Sequence, residues 1–141
     1  MAAAIARQVA AERGLTDGTI ESAGTSAWDG QPASDGALLV GLERQLDLTT
    51  HRSRTLTAAI VEAQDLILTM GPHHRERAEA LGGEGKTFLL VEYATHGAEE
   101  RAISDPFGGD LSGYRETAED LDALIRRVVD RLAAERAPDV P

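Results

Sequence analysis

The chain reads as an α/β domain with a parallel sheet. Short apolar runs alternate with amphipathic helical stretches, which is the signature of strands joined by crossover helices. The run DLILTM at 65–70 is apolar almost throughout, as befits a strand covered on both faces. A long stretch of helical period closes the sequence. With 141 residues, 42% of them hydrophobic and 27% charged, the chain has room for one ordinary domain with a real core.

Taken in order, residues 2–13 read as a helix, with Ile5 and Val9 four apart and Gly14 placed for a left-handed cap. It starts flush with Met1, so no residue ahead of it caps its free N–H groups. TIESAG at 19–24 predicts a short strand. SDGALLVGLERQL at 34–46 predicts a helix with Leu38, Leu39, Leu42 and Leu46 on one side. A short helix near 57–63 leads into the strand at 65–70. A helix over 72–81 ends at Gly82-Gly83, and KTFLL at 86–90 is the next strand. Tyr114, Ala118, Leu121, Ile125, Val128 and Leu132 then recur at steps of four and three, one buried face of the last helix. There are no repeats or internal linkers; the domain spans 1–136, and 137–141 is a frayed tail.

The formal net charge of -10 argues against nucleic acid or an anionic membrane as partner, since either would repel the chain at long range. No window approaches the ~20 apolar residues of a membrane span, and MAAAIARQVA lacks the build of a signal peptide, which predicts a cytoplasmic protein. The cysteine count is zero, which removes disulfides, thiolate zinc sites and any cysteine nucleophile. His73 and His74 are adjacent and point about 100° apart on a helix, so they read as solvated surface histidines, and no metal is expected. The glycines form no phosphate-cradling loop, and no cofactor is expected. SDPFGGDLSGY at 104–114 is the exception. Pro106 steers Asp105 away from helical dihedrals and two glycines allow close backbone approach. Locally this is either a turn that starts the last helix or a loop that holds out Asp105 as a proton donor.

Several pieces, in this order and spacing, resemble the low-molecular-weight protein tyrosine phosphatase family: IARQVAAERGL, IESAGTSAW, LTTHRSRTLT, QDLILTM, and DPFGG followed by the long helix. The likeness covers residues 1–136. It implies a three-layer α/β/α fold, a small four-stranded parallel sheet flanked by helices on both sides, and hydrolysis of phosphate monoesters through a phosphocysteine. In that chemistry the position of Asp105 protonates the leaving group and later activates water. Ser22 and His51 match residues that brace the phosphate loop, and Trp28 and Phe107 match residues that line the pocket mouth. The family opens, however, with an interior strand and a Cys-x5-Arg-Ser/Thr loop, whose thiolate attacks phosphorus. Neither is here, and MAAAIARQV matches the family from its Met onward. Either the protein begins upstream of Met1, or the chain is a remnant without its catalytic strand; the persistence of Asp105, Ser22 and His51 favours the first. As given, the chain is expected to be poorly stable and inactive.

Tyrosine phosphatases of this family usually follow Asp-Pro with two aromatics. Phe107-Gly108-Gly109, with LLVEYATHG before it and Tyr114 and Thr117 after it, is more similar to the bacterial protein arginine phosphatases of the same fold. The resemblance therefore implies a phosphorylated protein as partner, with phosphoarginine ahead of phosphotyrosine, although Trp28 offers an aromatic wall that suits phosphotyrosine. A different class stays open: a non-catalytic module that binds a phosphoprotein or partner through Trp28, Phe107 and Asp105. Arsenate reductase, which shares the fold, needs several cysteines and is set aside.

Overall fold

A computed structural model describes residues 1–15, 18–25, 29–103 and 109–136. The first helix, α1 (Ala2–Glu12), follows from a run of alanines with the highest helix propensity and buries Ala3, Ile5, Val9 and Ala10. Gly14 takes φ 73°, and the N–H of Leu15 closes the helix on the Ala10 carbonyl at 2.8 Å, the cap that the sequence predicts.

The last helix, α6 (Leu111–Arg136), is the predicted one. Of its buried stripe, Leu121, Leu124, Ile125, Val128 and Val129 meet Ile5 and Val9 of α1 in the main core, while Tyr114 and Ala118 pack with Val40 in a second cluster. Each such aliphatic side chain contributes about 1.5–3 kcal/mol on full burial. The α1–α6 contact is thus the backbone of the fold, and Asp110 caps α6 by accepting the N–H of Gly113 at 3.0 Å.

Between these helices, α2 (Asp35–Glu43), α3 (Ala58–Ala63), β1 (Ile67–Thr69), α4 (Pro72–Ala78), β2 (Thr87–Leu89) and α5 (Leu90–Ala94) follow in order. β1 and β2 pair in parallel, Ile67 with Thr87, Leu68 with Phe88 and Thr69 with Leu89. α4 crosses between them and ends in a wider turn, Glu79–Gly83, where Gly82 takes φ 107°. Both α4 and α5 pack on the sheet, and α6 packs on α1, α2 and α5. The result is an α/β fold with a small parallel sheet, as the alternation of strands and helices predicts.

Four expectations need correction. TIESAG forms no strand ladder: it makes a single parallel bridge, Gly24 to Thr55, because side chains rather than a neighbouring strand take its carbonyls. β1 is shorter than DLILTM, and Ile67 and Leu68 are half-buried, since among the described residues the sheet has two strands and leaves one edge of β1 unpaired. On α2 the buried residues are Val40 and Gly41, while Leu39 and Leu42 are 49% and 65% exposed. Leu46 is buried, but beyond the end of the helix. α5 was not predicted at all: LVEYA follows β2 without a break, and Glu92 caps it by accepting the N–H of Leu89.

Candidate active site

The predicted site residues fall into two groups. Asp105, Phe107 and Trp28 lie outside the described residues. Ser22 and His51 lie within them, on two segments that the structure joins.

The joining segment is 51–56, His-Arg-Ser-Arg-Thr-Leu. Its backbone brackets Gly24: the N–H of Gly24 donates to the Arg54 carbonyl and the N–H of Leu56 to the Gly24 carbonyl, each at 2.9 Å. Arg54 also donates through Nε to the Ser22 carbonyl at 2.8 Å and pairs with Glu21 at 3.0 Å. That pairing, with the Gln64 amide as a second donor, holds the Glu21 carboxyl below its ordinary value. From α1, Arg7 reaches the Ile20 carbonyl with Nε at 3.0 Å and Nη2 at 2.6 Å. Guanidinium groups therefore satisfy carbonyls that would otherwise need a strand or water.

His51 is half-buried. Burial lowers its pKa from the ordinary 6.5, and the Met1 amine, Arg7 and Arg52 lower it further. Arg52 is held back along the chain by the carbonyls of Thr49 and His51, at 3.1 and 2.7 Å. Several cationic groups thus gather around one imidazole in a chain of net charge -10. Such a grouping favours an anion locally. Ser22 is exposed and meets this cluster through its backbone.

The flanks of the other predicted residues are also placed. Asp29, directly after Trp28, is bound to segment 51–56: its carboxylate accepts the Thr55 N–H at 2.7 Å. Ile103, two residues before Asp105, donates its N–H to the Met70 carbonyl at 2.8 Å, at the C-terminal end of β1. Ligands of open α/β sheets bind at that end of the strands. The rings of His73 and His74, in the first turn of α4, lie in contact but tilted by 46°, with centroids 3.8 Å apart. Among the described residues no cluster of three or more His, Cys, Asp or Glu is arranged to hold a metal.

Sequence reasoning missed Arg7, Asp29, Ser53 and Arg54. The signal was HRSRT, a basic run in an acidic chain, which local pattern alone does not separate from a solvated turn. Of two open clefts, one of about 510 Å³ is lined by Arg7, Ile20 and Glu21 of the same scaffold together with α1, and one of about 620 Å³ lies beside β2. Neither is lined by Ser22 or His51, so the site rests on the joined segments and not on cavity size.

Comparison with known proteins bears on the same residues. A family model described as low molecular weight phosphotyrosine protein phosphatase matches residues 1–137. The protein-arginine-phosphatase of Bacillus subtilis is 32% identical over 140 residues, spanning 96% of this chain and 89% of its own. The low molecular weight protein-tyrosine-phosphatase PtpB of Staphylococcus haemolyticus is 36% identical over 119 residues, spanning 84% and 83%. Among solved structures, a mutant of YwlE arginine phosphatase with a phosphorylated active-site serine superposes with a TM-score of 0.89 at 31% identity, over 96% of this chain and 88% of that one.

Proposed function

Because the chain belongs to the low molecular weight phosphotyrosine protein phosphatase family, we propose that it is the substrate-facing part of a protein phosphatase, with phosphoarginine preferred over phosphotyrosine. The observation that carries the preference is Phe107-Gly108-Gly109, where a second aromatic wall for a phenyl ring is lacking. The similarity to two protein-arginine-phosphatases supports it.

The chemistry fits the residues named. A phenol leaves with a pKa of about 10, whereas a guanidine is far more basic, at roughly 12.5–13.8, so its nitrogen must be protonated to leave. Asp105 supplies that proton and afterwards takes one from the attacking water. The cations around His51 favour the phosphoryl anion, and the segment bearing His51 holds Ser22 in place beside it. The reaction also needs a thiolate nucleophile, and the 141 residues contain no cysteine. These residues alone therefore leave phosphate esters intact, as removal of a nucleophile does elsewhere.

Two experiments test the reading. This chain should not hydrolyse p-nitrophenyl phosphate, while a form carrying a strand and Cys-x5-Arg-Ser loop ahead of Met1 should, and Asp105→Asn in that form should slow turnover. Equal rates with and without Asp105 would remove it from the mechanism. In the active form a phosphoarginine peptide should be turned over faster than its phosphotyrosine counterpart; the reverse order overturns the substrate preference. The absence of cysteine also favours a second reading, a non-catalytic binder of phosphorylated protein. A stop codon directly before Met1 in the coding DNA, with phosphopeptide binding by this chain, would establish it over the first.

A further inference from the structure

We propose that the cleft beside β2 binds a small dipolar molecule of the class of a free basic amino acid, at a place apart from Ser22 and His51. Its volume of about 620 Å³ falls within the roughly 300–1,000 Å³ of small-molecule sites. Arg75 of α4, Glu79 just after it, Phe88 of β2, Glu92 of α5, His96 just beyond α5 and Arg131 of α6 all line it.

Charge is divided along this lining. At the α4 end one cation faces two carboxylates: Arg75 Nε lies 3.8 Å from Glu79 and Nη1 lies 3.5 Å from Glu92. Both distances exceed the roughly 2.7–3.2 Å of an N–H···O hydrogen bond. Arg75 is therefore held by charge alone in these pairs, and the two carboxylates keep lone pairs for a second cation. At the α6 end the balance reverses. Arg131 donates from Nε to Glu135 and from Nη1 to the Tyr93 carbonyl, each at 2.9 Å, and its guanidinium lies 3.9 Å from the centre of the Tyr93 ring. Three contacts fix this side chain, yet among the described residues its Nη2 has no protein acceptor. The exposed His96 adds a second basic group: after the Arg131 hydrogen bond, burial and the Tyr93 hydroxyl, its charge also acts on the Glu135 carboxyl, which stands below its ordinary value. Arg131 and His96 thus share one carboxylate.

Phe88 contributes an apolar wall, half-buried and packed on Tyr93 with ring centroids 5.6 Å apart. A matching ligand carries a cation for Glu79 and Glu92, a carboxylate for Arg131 Nη2 and His96, and an aliphatic stem for Phe88. An anion without a cationic end would meet the two carboxylates, and a cation without an anionic end would meet the basic groups, so each would lack half of the complementarity.

L-arginine is the probe, titrated into this chain and followed by amide NMR. The Phe88, Glu92 and His96 signals should shift and saturate. L-citrulline, whose side chain is uncharged, and agmatine, which lacks the carboxylate, should each bind about ten-fold more weakly, the scale of one lost charge-assisted hydrogen bond. Glu79→Gln should weaken L-arginine several-fold, and His96→Gln, at an exposed position, carries the same test if Glu79→Gln fails to fold. Arg75→Gln removes the cation that competes for Glu79 and Glu92 and should tighten binding several-fold. No saturable shift, citrulline or agmatine binding as tightly as L-arginine, or weaker binding in Arg75→Gln overturns the proposal. Hydrolysis is not measured, so the outcome is independent of the phosphatase reading.

Discussion

Gly36 sits in the first turn of α2 with the ring of Tyr114 lying against its backbone. A Cβ built there would meet Cδ2 of that ring at 2.5 Å and Cζ at 2.7 Å, against the roughly 3.5–4.0 Å of a normal carbon contact. Gly36→Ala therefore forces the ring to move by about 1 Å. The ring has little freedom to do so. Tyr114 is 6% exposed, packed with Val40 and Ala118, and its hydroxyl is bonded to Ser34 Oγ at 3.0 Å. Overpacking of this kind costs about 1–3 kcal/mol. Alanine's helix propensity offsets up to about 1 kcal/mol, and less in a first turn. The net expectation is a loss of about 1–2 kcal/mol. Urea unfolding followed by far-ultraviolet circular dichroism should show a lower midpoint with an unchanged slope. In a Tyr114→Ala background, where the ring is gone, Gly36→Ala should be neutral or stabilising. A Gly36→Ala chain as stable as the parent, or one equally destabilised in both backgrounds, would refute the steric reasoning.

Tyr114→Phe, which removes the hydroxyl and keeps the ring, should cost about 1 kcal/mol in the same assay, the net worth of one hydrogen bond. Lys86 Nζ donates to the Gln64 carbonyl at 2.7 Å just past the end of α3, so Lys86→Met should destabilise by about 1 kcal/mol and loosen the C-terminal turn of α3 in amide exchange. His51 has a folded pKa below 6.5, so near and below that pH the unfolded chain binds more protons. Stability should rise with pH through this window and level off above about 6.5, and His51→Gln should flatten that part of the curve. Asp120 is held below its ordinary 3.8, chiefly by the Arg101 hydrogen bonds. Its stabilisation is present above about pH 4 and lost as the pH falls through its depressed pKa, and Arg101→Gln should shrink the acid loss.

The long helices were legible because period alone determines them. The stripe from Tyr114 to Leu132 spans many turns, and one misplaced residue does not change its phase. On α2 the same reasoning failed over nine residues, where four leucines suggested one face and Val40 with Gly41 became the inner one. The decisive contact there is Gly36 against Tyr114, a fit between residues far apart in the chain that hydrophobicity does not encode. α5 was missed because LVEYA continues the apolar run of β2, and a short apolar run suits strand and helix equally. Family likeness singled out Ser22 and His51, but the arginines that bond the backbone of segment 20–24 carried no such signal. Arg54 and Arg7 act on carbonyls, a role with no spacing rule.

TIESAG shows what this means physically. Its composition suits a strand, yet a strand is defined by its ladder, and here the Ile20 and Ser22 carbonyls are taken by guanidinium groups while Gly24 alone is bracketed by backbone. Arg7 held in this way does two things at once: it satisfies the Ile20 carbonyl and leaves its charge acting on His51. A backbone N–H from a neighbouring strand would do only the first. Part of this scaffold is thus also electrostatic: backbone bonds at Gly24 and the Glu21-paired Arg54 join segments 20–24 and 51–56, while Arg7 ties Ile20 to α1 and brings a cation with it. Screening in about 0.15 M salt reaches within roughly 8 Å, so repulsion from distant carboxylates fades while attraction from Arg7 and Arg52, which act on His51, persists at close range. A protein of net charge -10 can in this way keep a cluster of cations at one place on its surface.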